Sequence, residues 1–301
     1  MMELNSQNYR ALERNEVAEK LTAFKMRLAK GTQVAIKMTY LMKHVLEGKW
    51  TNYEFVVDSR KELEDISIIG RPSKEYDLGI SNVVIYSSDE DHLRYLLRLP
   101  GIIDWANPRL EIVPNCAEIE PILREIIIEN GYSFKDSTMA DIMVLENVDC
   151  LRERSRNIRL PEDMTLSAVR QEQHIEEISR AWPFGDPTCS PEYIRYMKTQ
   201  ILNLPNICVQ KNDELIAWSL QQFHGAIGNT FVKPEYRGQG LGSLVTTELA
   251  KKVLANGMAA YIECESGDDV SKNMHIGVGF KYIPTSTQVY LTSYKCPAHT
   301  N

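Results

Sequence analysis

The segment NTFVKPEYRGQGLGSLVTTELAKKV, residues 229–253, passes from an apolar run into a turn with glycine at 238, 240 and 242, then into a long amphipathic pattern. Glycine is a poor helix former, so three of them where a helix begins call for another reason. The first amides of a helix have no acceptor within it, and the helix dipole makes that end positive. Glycines remove the Cβ atoms that would keep an anion away from those amides. Arg237 stands just before them and adds a guanidinium. A strand, a glycine-dense turn and a helix N-terminus together form a phosphate-binding device. A tight turn without a ligand would not need three glycines.

The kind of phosphate is narrowed by spacing. A dinucleotide fingerprint would need glycine at 243, where the chain has Ser243, although Glu263 sits near the right distance for a ribose contact. Such a turn would also follow its strand at once, whereas 234–237 intervene here. A Walker loop needs Gly-Lys-Ser/Thr, which is absent.

The elements that must position this loop follow from periodicity. In the first half, 10–30 and 34–48 read as helices, with glycines 31 and 48 as stops. Strands are expected at 53–58, 82–87, 109–114 and 138–146, with helices at 89–101 and 118–131. The charged stretch 150–164 suggests a domain boundary, giving an α/β domain at 1–154 and a second at 155–301. In the second, 165–171 reads as a strand, and 172–182 and 190–202 as helices, with Ser190 as N-cap and Pro191 at N1. A hairpin over 206–223 turns at 211–213. A strand at 225–233, a helix at 240–256, a strand at 259–265, a short helix at 269–278 and a closing strand at 281–292 complete it.

Composition agrees with a globular protein: 301 residues, 43% hydrophobic, 25% charged and a formal net charge of -7. The negative balance argues against a nucleic-acid partner. No apolar run approaches the ~20 residues of a membrane span, so no membrane partner is expected. Six cysteines are scattered without Cys-x-x-Cys spacing, which suggests free thiols in a reducing compartment and no metal site. Glutamates at 3, 13, 16 and 19 are unlike a secretory signal or an acid-poor presequence, which favours a cytoplasmic location.

The motif Arg237-x-x-Gly240-x-Gly242 resembles the pyrophosphate loop of the GNAT acyltransferase superfamily. The order around it matches too: hairpin, strand, loop, long helix, strand, short helix, Gly279-Phe280, strand. Within that superfamily, PEYRGQGL, LSAVRQEQHIEEISRAWPFGD and YSSDEDHLRYLLRLPGIIDW resemble the glycine N-acyltransferase family. The resemblance implies an α/β (α+β, mixed-sheet) fold, GNAT in the C-terminal half, with a degenerate GNAT-like domain lacking the cofactor motif in the N-terminal half. It implies an acyl-CoA or acetyl-CoA co-substrate without a metal, and a small-molecule amine acceptor such as glycine or another amino acid. Cofactor binding would fall on Phe231, Val232, Arg237, Gly238, Gln239, Gly240, Leu241, Gly242, Ser243 and Asn273, with Thr230 contributing main chain. The family also allows a mitochondrial location, although no clear presequence is seen.

Amide formation from a thioester needs an unprotonated amine, stabilisation of the developing oxyanion, and a thiolate that is protonated or tolerated. Where the family places a glutamate, this chain has Ala226. On a strand, His224 would face the same way as Ala226 and serve as base. The competing reading is an exposed hairpin histidine. Glu263 and Glu265 are further base candidates. His275, where many GNAT enzymes have tyrosine, would act as an imidazolium acid toward the thiolate. Cys264 is a weak candidate for an acyl carrier, since no activating base is evident. Trp182, Phe184 and Asp186 would shape the amine pocket. The missing glutamate leaves two alternatives: a GNAT acting on another amine, or a coenzyme A-binding protein without catalysis.

Overall fold

The computed structural model describes residues 8–29, 35–62, 67–76, 78, 80–107, 109–114, 117–156, 158–170, 172–182, 186, 188–283 and 288–295. Packing divides the chain into two compact units, Met1–Met139 with Gln288–Asn301, and Ala140–Thr287. The elements run β1 (Tyr9–Ala11), α1 (Arg14–Ala29), α2 (Ile36–Leu46), β2 (Tyr53–Asp58), β3 (Ile68–Pro72), β4 (Ser81–Tyr86), α3 (Glu90–Leu97), β5 (Arg109–Pro114) and α4 (Glu120–Glu129). β6 (Tyr132–Leu145) carries the division at 139/140. There follow α5 (Glu153–Arg156), β7 (Thr165–Ser167), α6 (Glu172–Ala181), α7 (Pro191–Asn203), β8 (Asn206–Lys211), β9 (Glu214–Gln221), β10 (Ile227–Val232), α8 (Leu241–Ala255), β11 (Ala260–Glu265), α9 (Asp269–Val278), β12 (Lys281–Tyr282) and β13 (Gln288–Lys295).

In the first unit the strand order is β1-β2-β3-β4-β5-β13, with β4 and β5 parallel and the other described pairs antiparallel. β4 and β5 stay in register over five pairs, from Ser81↔Leu110 to Ile85↔Pro114. β3 was not expected from the sequence, because glycine and proline interrupt its apolar run. Gly70 is there for close approach: a Cβ would meet Leu41 Cδ2 at 2.7 Å, so α2 packs hard against this strand. Asp89 caps α3 by accepting from the His92 amide, and Glu90 and Asp91 fill its first turn. That helix end is therefore negative, unsuited to phosphate.

The second unit orders its strands β6-β11-β10-β9-β8-β7, with β10 and β11 parallel and the other neighbours antiparallel. β9 is buried at every position after Glu214, as a central strand covered on both faces should be. The hairpin turn has φ of +50° at Asn212 and +64° at Asp213, which sets Lys211 opposite Glu214. Ser190 caps α7 through the Tyr193 amide, with Pro191 in the first turn, as its sequence signature requires. α8 buries Leu241, Leu244, Val245, Leu249 and Val253, and Leu254 lies at the margin of that face.

Two organisational expectations change. The segment 281–292, read as one closing strand, is two strands, and the second pairs with β5 of the first unit. The packing division falls at 139/140 and not within the charged stretch near 154. That stretch is tied to the second unit: Ser155 Oγ donates to Gly277 O at 3.0 Å, and the Arg152 amide to Val278 O at 3.0 Å. Among the described residues no helix is long and apolar enough to cross a membrane.

Candidate active site

The site is built around the parallel pair β10 and β11. They share the register pair Ile227↔Ile262, and among the described residues none beyond it. On the other side, the β9–β10 register shifts between Gly228 and Phe231. Asn229 sits in this bulge at φ +49°, and its Oδ1 accepts from Trp218 Nε1 at 3.2 Å. The bulge leaves Asn229 and Thr230 outside the register with β9, and after Ile227 no described residue of β10 pairs with β11, so main-chain groups of this stretch are open toward a ligand entering between the strands. Phe231 is stacked on buried Trp218, with centroids 4.7 Å apart.

Beyond β10, a short helical turn at Pro234–Tyr236 leads to the glycines. Gly238 and Gly240 have φ of +76° and +80°, and Gly240 is the N-cap of α8. A β-branched residue is strained in that region. The amides of Leu241, Gly242 and Ser243 fall in the first turn, and the Leu244 amide is the first to reach Gly240 O, at 3.0 Å. No acidic residue occupies this first turn. Arg237 is folded back over the loop: its Nε donates to Val232 O at 3.0 Å and its guanidinium carbon lies 5.8 Å from the Phe231 centroid. Residues 237–240 are exposed. The donors and the charge of this helix end therefore suit a pyrophosphate. Gln239 is exposed in the same loop, and Asn273 is exposed on α9.

His224 requires a correction. It does not lie on a strand, so alternation does not aim it. It sits in a tight turn closed by the Gln222 amide donating to Ala226 O at 2.7 Å and the Gly225 amide to Gln222 O at 2.8 Å. Nor is it an exposed hairpin residue, being 1% exposed. Its Nε2 lies 3.9 Å from Glu263 Oε2, whose side chain is also buried. Its Nδ1 is 2.9 Å from the Tyr261 hydroxyl, which also donates to His224 O at 2.7 Å. The structure therefore brings together His224 and Glu263, two base candidates that the sequence offered as rivals. Glu265 is exposed on the far end of β11. Tyr261 was missed, although its position two residues before Glu263 on one strand was a usable signal.

His275 is the second correction. It is buried in α9, edge-on to Phe280, and burial pushes its imidazole from 6.5 down to about 4. It is neutral near pH 7 and is not an imidazolium acid. The unfolded chain binds this proton below 6.5, while the folded one does not until about 4. Stability therefore falls as the pH drops through that window. His275→Gln should flatten this dependence by about 2 kcal/mol at pH 5, relative to pH 7, in urea unfolding. An identical pH dependence in the variant would contradict the assignment.

Burial also pushes the Cys264 thiol up, which suits an inert residue and not a nucleophile. Burial alone would raise the Asp186 carboxyl, but hydrogen bonds from Ser190 and Thr188 hold it well below its ordinary value. It accepts from Thr188 N and Oγ1 and from Ser190 N. Phe184 lies outside the described residues. Among the described residues no cluster of histidine, cysteine and carboxylate could hold a metal.

Comparison with known proteins agrees with this architecture. The FR47-like protein family matches residues 207–290, from β8 into β13. Glycine N-acyltransferase of Bos taurus is 22% identical over 275 residues, covering 85% of this chain and 91% of that one. The Homo sapiens glycine N-acyltransferase is 20% identical over 284 residues, covering 89% and 95%. A Drosophila protein from a structural genomics programme superposes with a TM-score of 0.76 at 15% identity, over 95% of this chain and 98% of that one. A tandem GNAT protein from the clavulanic acid biosynthesis pathway gives 0.53 at 12% identity, over 96% and 99%. The chain is a GNAT-fold protein whose sequence is similar, along most of its length, to the glycine N-acyltransferases.

Proposed function

We propose that this protein transfers an acyl group from acyl-coenzyme A to the amino group of a small acceptor, glycine or another amino acid, by direct attack in a ternary complex. The observation that carries this reading is the parting of β10 from β11, with a glycine-rich helix N-terminus beyond one end and the His224–Glu263 pair beside the other. The amides of 241–243 and Arg237 hold the pyrophosphate. Main-chain groups near the Asn229 bulge meet the pantetheine and the acyl carbonyl. The acceptor nitrogen attacks the thioester carbon and gives its proton to His224 Nε2, directly or through one water. The C–N bond forms, the C–S bond breaks, and the thiolate leaves with the electron pair. Glu263 stabilises the imidazolium that results. A pair 3.9 Å apart attracts by about 4 kcal/mol at an effective dielectric of about 20, before desolvation.

This pair supplies a base in place of the family glutamate at Ala226, which favours catalysis over a coenzyme A-binding role alone. A thiol-release assay across a panel of acyl-CoAs and amines tests the proposal. Release that depends on both substrates is expected, with amino acids among the active acceptors. Binding of coenzyme A without release with any amine would leave a non-catalytic role.

The first unit contrasts with the second. Its parallel pair β4–β5 does not part over five register pairs, and the helix that follows begins with three carboxylates. Calorimetric titration of the whole protein should accordingly give one equivalent of acyl-CoA per chain. A second equivalent would assign a site to the first unit.

A further inference from the structure

We propose that Tyr261 is a positioning residue that holds His224 in the tautomer with hydrogen on Nδ1, so that Nε2 is the atom that accepts the proton. This deepens the acyl-transfer reading and rests on it. The argument is a proton count. A phenol carries one hydrogen, and a backbone carbonyl can only accept. Tyr261 gives that hydrogen to His224 O, at 2.7 Å. The same oxygen lies 2.9 Å from His224 Nδ1. With its own hydrogen committed, it accepts there, so Nδ1 must be the donor. Neutral His224 then keeps its lone pair on Nε2, the nitrogen that lies 3.9 Å from Glu263 Oε2.

The two bonds act together. One clamps the ring, the other clamps the carbonyl of the same residue, and both come from a fully buried side chain on β11. Because Ile262 is the residue of β11 that pairs with β10, its neighbours Tyr261 and Glu263 reach the turn from just before and just after the point where the strands meet. Without Tyr261, the ring would be free to carry its hydrogen on Nε2, donating toward the Glu263 carboxylate. That tautomer has no lone pair on the side where the acceptor's proton must go.

The test reads the tautomer itself. In wild-type protein labelled with nitrogen-15 at histidine, the neutral His224 ring should show a pyrrole-type signal at Nδ1 and a pyridine-type signal at Nε2. Tyr261→Phe should shift both signals toward the opposite tautomer. It should also lower kcat/KM about tenfold or more and change its pH profile, while KM for acyl-CoA stays the same. A wild-type ring with its hydrogen on Nε2 overturns the inference without any variant. An unchanged tautomer in folded Tyr261→Phe overturns it as well. If the expected tautomer is found but no amine supports thiol release, the acyl-transfer reading has failed and the tautomer assignment has not.

Discussion

Gly240→Val should weaken acyl-CoA binding about a hundredfold or more. Gly240 has φ +80° and is the N-cap of α8, so valine must either accept a strained conformation or move the loop. Moving it misaligns the amides of 241–243. Each charge-assisted hydrogen bond to a phosphate oxygen is worth about 1.5–3 kcal/mol. Losing two of the weaker kind costs about 3 kcal/mol, which is about a hundredfold in affinity. The residue is exposed, and a Cβ there meets no atom within 4 Å, so the core need not suffer. Calorimetry with acyl-CoA, alongside a melting curve, separates binding from folding. Unchanged affinity in a folded variant would remove the glycine loop from the site.

His224→Ala should lower kcat/KM by about a hundredfold or more, the ordinary scale for loss of a general base. In the wild type the rate should rise with pH as a general base loses its proton. The variant should lack that rise. Acyl-CoA affinity should hardly change, because the ring lies in the turn before β10 while the pyrophosphate loop follows β10. Glu263→Gln keeps the shape and removes the charge, so it should slow the reaction while leaving acyl-CoA affinity intact. A His224→Ala enzyme with the full rate and pH profile would reduce this histidine to a turn-packing residue.

What the sequence by itself determined is the local geometry. The glycine turn that opens α8 was legible because its three glycines, the preceding arginine and the following helix lie within one short stretch. Their conformational needs are met by neighbours along the chain. The α7 cap and the Asn212-Asp213 turn were legible for the same reason. Resemblance of order and motif extended this to the GNAT fold.

Tertiary structure decided everything that depends on a partner distant in sequence. Alternation could not reveal that His224 leaves the strand for a buried turn, since the turn is closed by main-chain bonds and covered by β11. The pairing of His224 with Glu263 crosses 39 residues, and that with Tyr261 crosses 37. Both exist only because β10 and β11 run parallel and meet at Ile227 and Ile262. His275 looked like an acid by position, but desolvation in α9 makes it neutral, and burial is not written in spacing. The final strand was assigned by composition to its sequence neighbours, yet it pairs with Arg109–Pro114. A strand's alternation states which faces it offers, while the edge it joins is settled by which edge is open in the folded chain.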